Sequence, residues 1–236
     1  MTMQEHKDTH IAVDIDGLKG HALEQFDVHQ YWEEIKAAMA ESTPFYAKKE
    51  WRKVYNIELS NGMTVFVKDI DESQHDKRKV IPFLGTHEPQ RYFRNYQILQ
   101  RLGIDSPRIL FYFGQRKGCR WQRSVLCTSD LSGYLSFQAY FDRHGPGDAT
   151  EILKALCQLT LKLHDAGYTF SMDRNNIFVR EKFSGTLDDL ALIDLDHLSK
   201  EFFGSLSRRR RRRALRRFSG TIDRVDALGG CASFFL

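Results

Sequence analysis

Hydrophobic alternation is clearest at residues 53–60 (KVYNIELS), where Tyr55, Ile57 and Leu59 fall on one face of an extended chain. Asn61-Gly62 follows, a pair that tolerates the positive φ angles of a type I′ turn, and residues 63–70 (MTVFVKDI) return as the partner strand. Lys68 falls near the end of that strand, on the face of Phe66. The period turns helical over 90–102, where Phe93, Tyr96 and Leu99 recur, and Gly103 and Pro107 close the segment. Residues 109–113 and 124–128 are short apolar runs that suit two strands around a glycine-containing hairpin. Upstream, 31–39 reads as a short helix with acids early and Lys36 later, matching the helix dipole. The residues before it give no assignable pattern, and the charged stretch 71–80 reads as a loop.

Residues 130–147 are rich in turn formers and separate the two halves of the chain. Beyond them a long helix is predicted. Asp148 suits its N-cap, Glu151 would complete a capping box, Ile152, Leu156, Leu159 and Leu163 form one stripe, and Gly167 ends it. Short strands are predicted at 177–179 and 190–195, and the tail from Ser199 reads as a basic helix. A strand-rich half, a connector and a helix-led half make an α+β chain without internal repeats.

With 236 residues, 42% of them hydrophobic, the chain can bury a core in one domain or two small lobes. Cys119, Cys127, Cys157 and Cys231 show no metal-ligand spacing, and Cys157, within a helical apolar pattern, reads as a buried thiol. A reducing compartment fits this usage. Residues 1–10 are polar, and no window approaches the roughly 18–20 apolar residues of a membrane-spanning helix. The expectation is a soluble cytoplasmic protein able to touch a membrane surface. Net charge is only +4, but Arg208, Arg209, Arg210, Arg211, Arg212 and Arg213 are consecutive. Such a run can bind nucleic acid, an anionic membrane surface or another anionic partner, or simply form a solvated helix face. Interleaved Leu206, Ala214, Leu215 and Phe218 favour the membrane surface. No stacking platform or helix-turn-helix signal supports nucleic acid.

Three polar positions carry candidate chemistry. Lys68 ends a hairpin strand, Asn176 precedes a short strand, and Asp194 ends another, followed by Asp196. Phosphoryl transfer from ATP needs a cation for the phosphates and hard oxygen ligands for magnesium. Taken singly, each has a plainer reading: a solvated lysine on an edge strand, a turn asparagine, and an aspartate cap or acidic rim.

Taken in order, these residues resemble a family. Residues 163–168 (LHDAGY) are similar to the L-H-x-A-G-[YFI] that leads into the catalytic loop of the lipopolysaccharide core kinases, the Kdo/heptose kinase or InaA-like group. Asn176-Ile177-Phe178-Val179 resembles the family's N-I-L-[LV], and residues 192–196 (LIDLD) resemble its L-I-D-F-D, the counterpart of the protein-kinase D-F-G. Val65-Phe66-Val67-Lys68 is similar to its hairpin ending in F-x-K. Residues 126–135 (LCTSDLSGYL) resemble its lobe connector, and residues 102–107 (LGIDSP) its L-G-[IV]-x-x-P. The resemblance implies a two-lobed, protein-kinase-like α+β fold with a small antiparallel-sheet N-lobe and a mainly helical C-lobe. Residues 1–50 would be an extension or the start of the N-lobe, 51–130 the N-lobe, 131–200 the C-lobe, and 201–236 a basic segment. It further implies ATP and Mg2+ as cofactors, with Lys68 on the phosphates, Asn176 and Asp194 on the metal, and Asp130 near the adenine. The acceptor would be a sugar of the lipopolysaccharide inner core or another lipid-linked sugar, met at the inner face of the bacterial inner membrane. The anionic core itself is then one more partner for the arginine run.

Two departures accompany the resemblance. Five residues before Asn176, where the family has its catalytic Asp, stands Ser171, and the family's His is Thr169. Asp173 is the candidate for a displaced base. The stretch 91–99 (RYFRNYQIL) holds no acid to pair with Lys68, the nearest being Glu88, and no glycine-rich phosphate loop is visible. General-base help is worth about a hundred- to ten-thousandfold. A slow enzyme and a nucleotide- or glycolipid-binding pseudokinase are therefore both physically reasonable.

Overall fold

A computed structural model of the chain describes residues 8–74, 86–145, 147–171 and 173–200. It divides into two units, Met1–Arg94 with Pro107–Asp130, and Asn95–Ser106 with Leu131–Leu236. In the first, strands β1 (His10–Ile15), β2 (Leu18–Leu23), β3 (Tyr46–Lys49), β4 (Arg52–Glu58), β5 (Thr64–Asp71), β6 (Ile109–Lys117) and β7 (Arg120–Ser129) form one antiparallel sheet. Their order is β1-β2-β6-β7-β5-β4-β3.

The segment left unassigned before Tyr31 is the hairpin β1–β2. Ile15 pairs with Leu18, so Asp16 and Gly17 alone form the turn, with φ of 53° and 72°. Two positive φ angles in a two-residue loop are the requirement of a type I′ turn, and Asp-Gly was the sequence signal for it. The Asp16 carboxylate accepts hydrogen bonds from Lys36 Nζ at 2.6 Å and Trp32 Nε1 at 2.8 Å, which hold its pKa below the ordinary carboxylate value. Both donors lie on helix α1 (Val28–Glu41), which Asp27 caps by accepting from the Gln30 N–H. The helix packs Trp32 and Ile35, both fully buried, onto one face of the sheet, where the Trp32 ring meets Phe111 and Phe113 edge-on. Each such burial contributes about 2–3 kcal/mol relative to exposure.

The predicted hairpin is β4–β5, but its turn is not type I′. Glu58 pairs with Thr64, the Gly62 N–H donates to Leu59 O, and Gly62 alone takes a positive φ, of 79°. Asn61 instead works through its side chain, accepting from the Met63 N–H and donating to Tyr31 Oη. Nor is Lys68 on an edge: β5 lies between β4 and β7, and Lys68 pairs with Val54 and Leu126.

Helix α2 (Glu88–Arg101) starts in the first unit and runs from Asn95 in the second. The second unit continues with β8 (Tyr134–Ser136), α3 (Phe137–His144), α4 (Ala149–Asp165), β9 (Tyr168–Thr169), β10 (Ile177–Arg180), β11 (Leu190–Leu192) and β12 (Ser199–Lys200). Sheets β11-β10-β8 and β12-β9 are antiparallel. The stretch read as an irregular connector thus contains β8 and α3, the latter capped by Ser136 Oγ and anchored by buried Phe137 and Tyr140. The predicted stripe of α4 is buried throughout, but no capping box forms at its start. Asp148 has φ −90° and ψ 3°, outside the extended region capping needs, and accepts from Tyr140 Oη, while Glu151 pairs with Lys154. Cys127, not Cys157, is the fully buried thiol; Cys157 is partly exposed. Among the described residues no helix is long and apolar enough to cross a membrane.

Candidate functional site

In the first unit the chemistry gathers where β5 faces the start of α2. The Lys68 amine lies 5.1 Å from the centre of the Tyr92 ring, over its face. One turn earlier on the helix, Glu88 is buried and its carboxylate lies 2.9 Å from Arg52 Nη2, an ion pair rather than a well-aligned hydrogen bond. The acid nearest to the position expected to serve Lys68 is thus paired with an arginine at the start of β4. Glu72, also buried, accepts from the Glu88 N–H at 3.0 Å and from Ser124 Oγ at 2.7 Å. A carboxylate there satisfies a helix N-terminal donor and favours the dipole. Asp69, next to Lys68, is held by Arg123 through two hydrogen bonds of 2.7 and 3.2 Å. Asp130 follows β7, and its N–H donates to Thr64 O at 3.2 Å.

In the second unit the structure brings Asn176 and Asp194 together. Asn176 ends a 3-10 turn (Arg174–Asn176), is buried, and its carbonyl accepts from the Ile193 N–H at 2.9 Å. Asp194 is the next residue. Its φ of 54° and ψ of 54° are left-handed, a conformation that costs an L-residue about 1–2 kcal/mol. This turn is why β11 stops at Leu192 instead of running to 195 as the apolar pattern suggests. The 3-10 turn Leu195–His197 follows, and His197 Nε2 stands 3.4 Å from Asp194 Oδ2.

The loop that leads to Asn176 is closed on itself. The Asp173 N–H donates to Ser171 O at 2.7 Å, and the Asn176 N–H donates to Asp173 O at 2.8 Å. The Asp173 carboxylate accepts from the Asn175 N–H at 3.0 Å, so one of its oxygens caps the turn. Thr169, where the family pattern has His, sits in β9 opposite Ser199, with the two hydroxyls 3.0 Å apart. Residues 208–213 lie outside the described residues.

Sequence reasoning missed Arg52, Tyr92 and Asn95. Asn95 donates from its amide to Leu195 O at 2.7 Å and to Leu198 O at 3.2 Å. The available signal was a polar residue inside the apolar stripe of α2, beside buried Tyr92, Tyr96 and Leu99.

A family model described as the lipopolysaccharide kinase (Kdo/WaaP) family matches residues 45–227, well over half of the sequence. The chain belongs to that family. The Kdo/WaaP kinase assignment agrees with a solved structure, "WaaP in complex with acyl carrier protein", to which the fold is similar with a TM-score of 0.56 at 15% identity, over 84% of this chain and 77% of that one. A second solved structure, the MAP kinase LmaMPK10 from Leishmania major, matches with a TM-score of 0.42 at 17% identity, over 70% of this chain and 49% of that one. No curated protein matches the chain. The chain is therefore a kinase-family member with a kinase-like α+β fold.

Proposed function

We propose that this Kdo/WaaP family member transfers the γ-phosphoryl group of ATP to a hydroxyl of a sugar in the lipopolysaccharide inner core, at the cytoplasmic face of the inner membrane. The observation that carries the reading is Asp194 held left-handed one residue past the Ile193–Asn176 hydrogen bond. An aspartate tolerates that backbone at a cost, and strain of this kind collects at functional sites.

The donors suit magnesium. Asn176 offers an amide oxygen and Asp194 a carboxylate, both hard ligands. Among the described residues no group of three or more His, Cys, Asp or Glu forms a metal cage. Two protein ligands match an ion that shares its sphere with water and phosphate oxygens. When bound, Mg2+ supplies neutralising charge to those phosphate oxygens. Lys68 adds a cation for the phosphates, and the connector after Asp130 would meet the adenine through its backbone. The Ser171 hydroxyl can orient an acceptor hydroxyl but cannot take its proton at neutral pH. The arginine run at 208–213 supports contact with anionic lipid or with the acceptor, at about 1 kcal/mol per basic residue near such a surface.

The loop favours a second reading. With Ser171 at the base position and the Asp173 carboxylate engaged by the Asn175 N–H, the chain could bind nucleotide or glycolipid without efficient turnover. Mass spectrometry of delipidated lipopolysaccharide core incubated with Mg-ATP and the purified protein separates the two. The kinase adds one phosphate to a core sugar, and Asp194→Ala or Lys68→Ala lowers the rate at least a hundredfold. ATP binding without transfer selects the second reading, under which Ser171→Asp is the variant expected to gain activity. Loss of both binding and transfer overturns both.

A further inference from the structure

We infer that Asn95 is a positioning residue for the metal site, acting through the turn that follows Asp194; this rests on the kinase reading above. Asparagine is a poor helix former, and at a half-buried position on the apolar stripe of α2 an apolar residue would pack better. Asn95 sits there between Tyr92 and Leu99, both buried. It directs its amide at Leu195 O and Leu198 O, the carbonyls that begin and follow the 3-10 turn Leu195–His197. Leu195 and Leu198 are themselves buried, so these carbonyls require donors. Leu195 O also accepts the Leu198 N–H at 3.0 Å, which leaves Leu198 O as the carbonyl the turn does not close.

The consequence falls on Asp194. Its backbone is the N-cap of this turn, and its carbonyl accepts the His197 N–H at 3.3 Å. That long bond and the left-handed φ make a weak turn by itself. Asn95 clamps the two ends of the turn from a neighbouring helix, and so fixes the direction in which the Asp194 carboxylate leaves the chain. Asp194 is the binding group, and Asn95 never needs to touch metal or nucleotide.

Asn95→Asp keeps the side-chain shape and removes the donors; Asn95→Leu removes them and fills the stripe. Full-length wild type and both variants are titrated with ATP in excess Mg2+, and again in EDTA, with hydrogen exchange followed over residues 194–198 without ligand. The expected result is at least tenfold weaker binding in Mg2+, binding in EDTA within twofold of wild type, and at least tenfold faster exchange at Leu198 in both variants. Equal weakening with and without Mg2+, or unchanged exchange, overturns the role of Asn95 while leaving the kinase reading standing. If wild-type binding is itself indifferent to Mg2+ and to Asp194→Ala, the kinase reading fails, and this inference with it.

Discussion

Arg52 and Glu88 show how one pairing redirects a site. A buried carboxylate without a partner is costly, whereas the pair itself adds little net stability. Arg52→Met should therefore destabilise the protein by about 3 kcal/mol, because it strands Glu88. Adding Glu88→Gln should recover much of that loss, and urea unfolding of the two singles and the double gives the coupling directly. An additive double mutant would show that the ion pair is not formed in solution. The cycle also bears on Lys68. Its amine already lies over Tyr92, so Arg52→Met does not by itself hand Glu88 to Lys68.

At the scale of elements, the helix α1 and the hairpin β1–β2 act as one piece, joined by the Asp16 carboxylate and by Trp32. Trp32→Ala should cost about 3–5 kcal/mol in chemical denaturation, since the indole is fully buried and its removal leaves a cavity against Phe111 and Phe113. A loss under about 1 kcal/mol would mean that the helix does not pack there. Elements whose signals are local were readable in sequence: β4–β5 from strict alternation, α4 from its Ile152–Leu163 stripe, α2 from Phe93, Tyr96 and Leu99. What was not readable depends on partners far along the chain. β1 leaves Ile11 and Ala12 exposed and so lacks a clean apolar face, although Asp16-Gly17 marked its turn. Asn61-Gly62 looked like a tighter turn because side-chain bonds to Met63 and Tyr31 are invisible in a dipeptide. In the candidate site, the nearness of Asn176 to Asp194 was expected from motif order. Arg52, Tyr92 and Asn95 were not legible, because each matters through a residue at least twenty-four positions away in the chain.

For the molecule as a whole, the matched family segment begins at residue 45, yet the first unit's core includes Trp32 and Ile35 from before it. The sheet gains β1 and β2 at the β6 edge, so the family segment alone does not contain everything that this core packs. The same addition makes overall stability depend on pH through His21 on β2. Burial, and to a lesser degree the charge of His10, lower the His21 pKa, and its Nδ1 lies 2.8 Å from Tyr112 Oη. With the folded pKa below the unfolded value, the contribution of neutral His21 to stability is fully present above about pH 6.5 and is lost as pH falls through the lowered folded value. The melting temperature should therefore drop between pH 7.5 and 5, and His21→Gln should flatten that slope. A slope of unchanged steepness in the variant would assign it to other groups. The left-handed backbone at Asp194 has a consequence for anyone engineering this protein. Glycine adopts φ near 54° without a Cβ penalty, so a search for thermostable variants by backbone fit alone would rank Asp194→Gly favourably. That variant would remove the carboxylate on which the phosphoryl-transfer reading depends, and the improvement would be bought at a position where sturdiness and chemistry ask for different residues.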